Sequence, residues 1–220
     1  MASRAALICR ALVVDPSHPE LAVGLLEWAE SDGMWKVEIM QGNLFLTGLI
    51  QSRGYTRSND FMFIREKPLI DTPFERVNLP PGYFVRILDP LEWDSYFHAV
   101  FRMMDTPEAF ASIQRAPSNV DELHLNVVTG QNQIAPFCSV WLDHENNLAE
   151  FEPVGTVPDF QKQGLGAALM AYACNRLRQM NCPTVKVELW SKSVGANKLY
   201  SAGGFVEQDR LYSWRKGSNA

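Results

Sequence analysis

The sequence has little of several features that would point directly to a function. It has no apolar run of the about 20 residues that a membrane-spanning helix needs. The net charge is only −5, whereas a nucleic-acid platform usually carries a large positive charge. We therefore expect neither a membrane nor a nucleic acid as a partner, and the mild negative charge slightly favours cationic or neutral small substrates.

Cysteine and histidine are also scarce. The chain has four of each, and no two cysteines show the CxxC spacing that is typical of metal and redox sites. We therefore expect no metal site, and we expect the cysteines to be free thiols in a reducing cytoplasm. The cysteines are Cys9, Cys138, Cys174 and Cys182.

A polar segment divides the chain. Residues 71–83 carry three prolines and a glycine, and periodic apolar segments lie on both sides. The sequence thus predicts two parts, residues 1–75 and residues 82–220. In the second part strands precede helices and alternate with them, which predicts a mixed sheet of the α/β or α+β class.

Hydrophobic periodicity predicts the elements of the second part. The clearest is a helix over residues 164–180, because Leu165, Leu169 and Leu177 fall on one stripe and Pro183 follows its end. Alternating and shorter helical patterns fill the remainder. The predicted strands are 84–88, 123–128, 134–142, 148–156, 185–190 and a pair within 205–214, and the other predicted helices are 91–104, 107–115 and 195–202.

An internal repeat links the two parts. The matching positions are KVEI at 36–39 with KVEL at 186–189, Gly54-Tyr55 with Gly204-Phe205, and Arg65 with Arg215. The order is collinear, and the first copy is shorter where the second copy has a glycine-rich loop. The sequence therefore predicts a duplicated unit, of which residues 1–75 are a truncated and non-catalytic copy.

The glycine-rich loop, Gln161 to Gly166 (QKQGLG), lies between a predicted strand and the long helix. The first N–H groups of a helix have no intrahelical acceptor, and with the positive end of the helix dipole they attract an anion. Glycine allows a phosphate to approach the backbone closely, while Lys162 adds a positive charge. Taken alone, the pattern also fits a tight strand-to-helix turn that uses glycine only for packing.

Two ordered motifs extend this interpretation. QKQGLG has the Q/R-x-x-G-x-G/A pattern of the GNAT superfamily of N-acetyltransferases. Further along, Asn197, Tyr200 and the Gly204-Phe205 pair resemble the second signature of that family. Residues 82–220 therefore resemble a whole GNAT domain, and residues 1–75 resemble a truncated second GNAT-like half in tandem with it.

The resemblance implies an acyl-CoA N-acyltransferase fold with acetyl-CoA as cosubstrate. In the family the loop holds the pyrophosphate, and the strand before it separates from its neighbour so that main-chain groups bind the pantetheine arm. Pro153 lacks an N–H group and is compatible with such a separation or with a bulge, although an edge strand would also accept it. The implied cofactor-binding residues are Val154, Gly155, Thr156, Gln161, Lys162, Gln163, Gly164, Leu165, Gly166, Ala167 and Asn197.

Acetyl transfer to an amine needs a base for the ammonium proton and a proton donor for the departing thiolate. The resemblance implies that Tyr200 is the donor, and packing against the sheet is the alternative for this aromatic. Glu150 and Glu152 share one strand face if no bulge separates them, and either is a candidate base. The alternative is a pair of solvated glutamates with water as the base. For Asn197 the alternative to cofactor binding is a helix cap.

The expected function is transfer of an acetyl group from acetyl-CoA to a primary amine by direct attack in a ternary complex. A covalent relay is disfavoured because no cysteine adjoins a histidine in the sequence. The alternative is a catalytically weak protein that binds or senses acyl-CoA. The acceptor is expected to be a small-molecule or peptide amine, and a homodimer is one expectation because members of the family often dimerise.

Overall fold

The structure is a computed structural model that describes residues 10–11, 14–15, 17–31, 36–89, 92–93 and 114–217. No helix within these ranges is long and apolar enough to cross a membrane. Most of the predicted helix 91–104 and most of the predicted helix 107–115 lie outside the described residues.

Strands and helices alternate through most of the described chain. The strands are β1 (Arg10–Ala11), β2 (Lys36–Met40), β3 (Thr56–Pro68), β4 (Tyr83–Ile87), β5 (His124–Thr129), β6 (Ile134–Asp143), β7 (Leu148–Thr156), β8 (Thr184–Trp190) and β9 (Val206–Arg215). The helices are α1 (Leu21–Ser31), α2 (Leu44–Ser52), α3 (Leu165–Gln179) and α4 (Val194–Ala202), with single 3₁₀ turns at Asp121–Leu123 and Pro158–Phe160.

The chain divides into two compact units. The first comprises Met1–Ile64, Leu189–Val194 and Glu207–Ala220, and the second comprises Arg65–Glu188 and Gly195–Val206. The strand order is β1-β2-β9-β3 in the first unit and β3-β8-β7-β6-β5-β4 in the second. The predicted domains, 1–75 and 82–220, rest on the linker and stay a prediction.

The sequence repeat is a structural repeat. Both ends of α2 recur 150 residues later in α4, since residues 44 and 52 correspond to 194 and 202. Each helix is followed by a glycine in the left-handed region, with φ of 85° at Gly54 and 82° at Gly204. The next residue closes the same turn, because the N–H groups of Tyr55 and Phe205 each donate to a helix carbonyl at 3.0 Å. The predicted duplication of the strand–helix–strand segment is therefore confirmed.

The first copy uses its helix to build a core. Its α2 contributes Leu46 and Ile50 to a buried cluster with Val37 and Ile39 of β2. Ile50 stands where the second copy has Tyr200, and it is fully buried. The first copy therefore has an aliphatic core residue at the position of the predicted proton donor.

In the second unit the long helix and the hairpin form as predicted. Leu165, Leu169 and Leu177 of α3 are buried along one stripe, and Asn181 with a φ of 58° follows its end. Strands β6 and β7 pair as the predicted antiparallel hairpin. The predicted pair of strands within 205–214 was wrong: this segment is the single strand β9. It has neither glycine nor proline to turn the chain, and five of its residues pair with β2.

Candidate active site

The start of α3 leaves its main-chain amides open. Gly164 precedes the helix with a φ of 79°, and no side chain caps the helix there. The N–H of Ala168 makes the first helical bond, to the Gly164 carbonyl at 3.0 Å. The N–H groups that precede it in the first turn have no acceptor within the helix. Because Gly164 and Lys162 are exposed, an anion can approach these groups from solvent.

The two glutamine side chains brace the loop. The Gln161 amide donates to the Thr156 carbonyl at 3.1 Å, and the Gln163 amide donates to the Asp159 carbonyl at 3.2 Å. The Tyr83 hydroxyl donates to Gln163 Oε1 at 3.1 Å. These bonds fix the path of the chain into α3. The predicted contacts of both side chains with a pyrophosphate stay a prediction.

Strand β7 pairs with β8 over only a short stretch. The two strands are parallel, and Leu148 pairs with Thr184, Ala149 with Val185 and Glu150 with Lys186. Among the described residues, the pairing ends at Glu150. The following residues of β7 remain paired with β6, from Phe151 opposite Val140 to Thr156 opposite Pro136. The edge of β7 that faces away from β6 is therefore open along Val154, Gly155 and Thr156. The predicted separation of this strand from its neighbour is confirmed.

A bulge interrupts β7 where proline predicted an irregularity. Val154 lies opposite Cys138 and Phe151 lies opposite Val140, so Glu152 and Pro153 together face the one residue between them on β6. A bulge of this kind turns the strand and redirects its side chains. It begins at Glu152, after the regular stretch that carries Glu150, and burial still alternates from Ala149 to Pro153, so Glu150 and Glu152 both lie on the more exposed face of the strand.

Strand β7 and helices α3 and α4 meet at one cleft. A β-carbon added to Gly166 would lie 3.6 Å from Thr156 Oγ1 and 3.8 Å from Leu199 Cδ2. Val154, Gly166 and Tyr200 line the cleft together with Phe137 and Cys138 of β6. The open edge of β7 and the start of α3 thus border the same cleft as the predicted proton donor.

Tyr200 is buried in this cleft, with 4% of its surface exposed. Its ring packs edge to face on Phe205, with 5.1 Å between the centroids. Burial raises the pKa of the Tyr200 hydroxyl well above its usual value, and the nearby Cys138 and Glu152 raise it further. The hydroxyl therefore keeps its proton throughout the neutral range. The ring packs as the alternative interpretation requires, while the acid role stays a prediction.

The two glutamates differ in their partners. Glu150 is half-buried, and its Oε2 atom lies 3.4 Å from Lys186 Nζ. Glu152 is exposed to solvent and forms no ion pair with a described residue. Desolvation raises the pKa of Glu150, and the Lys186 ammonium opposes that rise. Desolvation also raises the pKa of Glu152, and the charges of Glu150 and Glu188 add to it. Both carboxyls hold a proton to a higher pH than an ordinary glutamate does.

The sequence signature of the acetyltransferase (GNAT) family matches residues 87–205, which is more than half of the chain. The chain belongs to the GNAT family. It is therefore an acyltransferase of the kind that acetylates amines, and the family resemblance found in the two motifs is confirmed.

Individual relatives agree with this membership. The chain is 32% identical over 116 residues to the [ribosomal protein bS18]-alanine N-acetyltransferase of Escherichia coli, which covers 47% of this chain and 76% of that protein. It is similar in structure to a GCN5-related N-acetyltransferase from Sphaerobacter thermophilus, with a TM-score of 0.73, 21% identity and coverage of 92% and 70% of the two chains. A tandem GNAT protein from the clavulanic acid biosynthesis pathway also has a TM-score of 0.73, with 14% identity and coverage of 98% and 77%. The two structures show the fold, which is the predicted mixed sheet in a tandem arrangement.

The roles of three residues in this GNAT site were not predicted from the sequence. The Trp141 indole donates to the Glu152 carbonyl at the bulge, and Lys186 pairs with Glu150. Arg65 donates to Asn197 Oδ1 at 3.0 Å. The repeated KVE segments predicted that Lys186 lies on a strand, but no pattern near it in the sequence predicted its ion pair with Glu150.

Asn197 lies inside α4 and not at its start, so the alternative of a helix cap is wrong. The helix begins at Val194, and the Asn197 side chain accepts a hydrogen bond from Arg65. Its predicted contact with a cofactor stays a prediction.

The described cysteines are poor nucleophiles. Cys138, Cys174 and Cys182 are free and buried. Burial raises the pKa of the Cys174 thiol to about 12, and it also raises the pKa of Cys138 and Cys182. Since the thiolate is the reactive form, these side chains are not activated for a covalent relay. Within the described ranges, no group of three or more acidic, histidine or cysteine side chains could hold a metal ion.

Gly164→Ala is expected to weaken coenzyme A binding at least tenfold in calorimetric titration. Alanine at a φ of 79° costs about 1 kcal/mol, and relief of this strain would change the direction of the amides that follow it. The matched control is Gly54→Ala, because Gly54 has a φ of 85° and equally open surroundings. Both variants should lose similar thermal stability. Equal affinity for coenzyme A in both would contradict a role of the α3 amides in binding.

Proposed function

We propose that this protein transfers an acetyl group from acetyl-CoA to a primary amine, which attacks directly in a ternary complex. One observation carries the proposal: the uncapped amides of α3 and the open edge of β7 border the cleft in which Tyr200 is buried. An anion-binding site and a free strand edge can hold the cosubstrate, and a protonated hydroxyl can donate to its departing sulfur; the reaction needs a base in addition.

Acetyl-CoA, when bound, supplies the acetyl group as an activated thioester. The amides of Gly164, Leu165, Gly166 and Ala167 would hold the pyrophosphate, with Lys162 adding a positive charge. The main-chain groups of β7 at residues 154–156 would hold the pantetheine arm. Two features of the structure fit acetyl-CoA: the start of α3 is uncapped and exposed, and the edge of β7 after Glu150 has no strand partner.

Glu152 is the proposed base. It forms no ion pair among the described residues, whereas the Glu150 carboxylate is held by Lys186 at 3.4 Å. A base with a pKa raised towards neutrality accepts a proton from an ammonium group more effectively than an ordinary glutamate does. Its charge also contributes to the raised pKa of the Tyr200 hydroxyl. Glu150 then contributes negative charge and orients Lys186.

Tyr200 is the proposed acid. Its raised pKa keeps the hydroxyl protonated, so the proton remains available for the departing sulfur. Among the described residues, no group forms a hydrogen bond with this hydroxyl, which leaves it available within the cleft. The neutral thiols of Cys138 and Cys174 support direct attack by the amine.

The acceptor is proposed to be a cationic amine of a small molecule or a peptide. Glu150, Glu152 and Glu188 surround a single lysine, Lys186, which pairs with Glu150 and Glu188, and the negative charge that remains attracts an ammonium group. The relative from Escherichia coli acts on an alanine of a ribosomal protein, which supports a peptide amine. The buried free thiols favour a reducing compartment, and we assign the protein to the cytoplasm.

Tyr200→Phe tests whether the protein is an enzyme or only binds acyl-CoA. The variant keeps the ring packing on Phe205 but loses the transferable proton, so thiol release from acetyl-CoA should fall about 10²-fold. Release is monitored with a thiol reagent at saturating acetyl-CoA as slow hydrolysis, in which water accepts the acetyl group, and calorimetry confirms that coenzyme A still binds. Release at the buffer rate by both proteins would support the binding alternative.

The pH profile of thiol release tests the base. A general base must be deprotonated, so the rate should fall with decreasing pH along a limb that lies above the ordinary glutamate value of 4.5. Glu152→Gln should lower the rate about 10²-fold and remove this limb, because the amide cannot accept the proton. Glu150→Gln is the matched control and should retain the limb. If Glu150→Gln removes the limb and Glu152→Gln does not, the roles are exchanged.

A further inference from the structure

The end of strand β3 brings two basic side chains into the catalytic unit. Arg65 and Lys67 are two residues apart, so they share one face of the strand. Only 9% of each residue is exposed, although lysine and arginine are rarely buried without partners. Both precede the linker, yet both belong to the compact unit that contains Tyr200.

Arg65 holds helix α4 through three hydrogen bonds. Its Nη1 atom donates to the Asn197 carbonyl at 3.2 Å and to Ser201 Oγ at 2.8 Å. Its Nη2 atom donates to Asn197 Oδ1 at 3.0 Å. One rigid guanidinium thus spans a full turn of α4, and Tyr200 lies within that turn. These bonds fix both the rotation of α4 about its axis and its position along that axis.

Lys67 secures the turn that follows α4. Its ammonium lies 5.8 Å from the centre of the Phe205 ring and forms an ion pair with Glu75 at 2.7 Å. A β-carbon on Gly204 would be 3.8 Å from Lys67 Cε, so the lysine stem packs on this turn. Phe205 in turn contacts the ring of Tyr200. The two basic residues of β3 therefore hold α4 on both sides of Tyr200.

The other copy of the repeat provides a comparison. Lys216 lies 5.6 Å from the ring centre of Tyr55, so a cation beside the aromatic residue is common to both copies. The arginine contacts are not shared. Arg215, at the position of Arg65, is exposed, and α2 carries Thr47 and Gln51 where α4 carries Asn197 and Ser201. The strand–helix–strand fold of the first copy therefore forms without such arginine bonds. Only α4, the helix that carries Tyr200, has them.

We propose that Arg65 is a positioning residue that fixes the Tyr200 hydroxyl for proton donation. The inference rests on the proposed function, and it gives the first part of the chain a role in catalysis, because that part supplies the strand that positions the acid. A displacement of about 1 Å can cost about 10²-fold in rate, so a helix held by three fewer bonds should lose much of its activity.

The test measures thiol release from acetyl-CoA by full-length variants, with coenzyme A affinity and thermal stability measured on the same samples. Arg65→Met should lower the maximal rate at least tenfold, whereas the dissociation constant for coenzyme A should change much less, because the α3 amides are unchanged and only the predicted contact of Asn197 loses its support. The rate of Arg65→Lys should fall between those of Arg65→Met and the wild type, since a single ammonium cannot bridge both Asn197 and Ser201. Arg215→Met is the matched control and should match the wild-type rate.

A double-mutant cycle separates positioning from general stability. If Arg65 acts through Tyr200, Arg65→Met should reduce the rate less than twofold in a Tyr200→Phe background. An additional tenfold loss there, or a wild-type rate for Arg65→Met alone, would overturn the proposal. If Arg65→Met does not fold, Ser201→Ala decides, because it removes only one of the three bonds at an exposed position. It should lower the rate by a factor of about three in the wild type and not in Tyr200→Phe.

The outcomes for the two proposals are distinguishable. A wild-type rate for Tyr200→Phe would refute the acid role without reference to Arg65. A slow Tyr200→Phe together with a fully active Arg65→Met would refute the positioning role alone and leave the proposed function intact.

Discussion

The first main-chain amides of α3 can bind an anion only if no protein group accepts their hydrogen bonds, and the local structure keeps them unpaired. Gly164 turns the chain in the left-handed region, so no side chain caps the helix. The side chains of Gln161 and Gln163 donate to the main-chain carbonyls of Thr156 and Asp159, which precede the loop, and do not cap the helix. The separation of β7 from β8 after Glu150 then leaves a strand edge beside the same helix start. An extended ligand with an anionic group could use both features at once.

The duplication explains why a chain with one glycine-rich loop has two strand–helix–strand copies. In the first copy Ile50 occupies the position of Tyr200 and packs in a hydrophobic core. That copy therefore has a packed core but no group that could donate a proton at this position. Its last strand, β3, carries Arg65 and Lys67 into the unit that contains Tyr200. The predicted description of residues 1–75 as non-catalytic is compatible with this arrangement if catalysis is understood as direct contact with the reacting atoms.

Local patterns allowed much of this to be predicted. The apolar stripe of α3, the β6–β7 hairpin, the bulge near Pro153 and the turns at Gly54 and Gly204 each depend on residues close together in sequence. The contacts of Arg65 with α4 and of Trp141 with Glu152 could not be predicted, because they join residues that are distant in sequence or that meet only at a bulge. The difference between Glu150 and Glu152 likewise depends on Lys186 from a neighbouring strand. The predicted division of residues 205–214 into two strands was wrong, since no glycine or proline turns the chain there and residues 211–215 continue the strand by pairing with β2.

Coenzyme A binding by this protein is proposed to depend on the first-turn amides of α3. The most direct test is a titration of isotopically labelled protein with coenzyme A, followed by amide chemical shifts in nuclear magnetic resonance spectra. The largest shifts should occur at Gly164, Leu165 and Gly166, with smaller shifts at Val154 to Thr156, because these amides would exchange solvent for phosphate and pantetheine oxygens. Unchanged shifts at Gly164 to Gly166 in the presence of saturating coenzyme A would contradict the account.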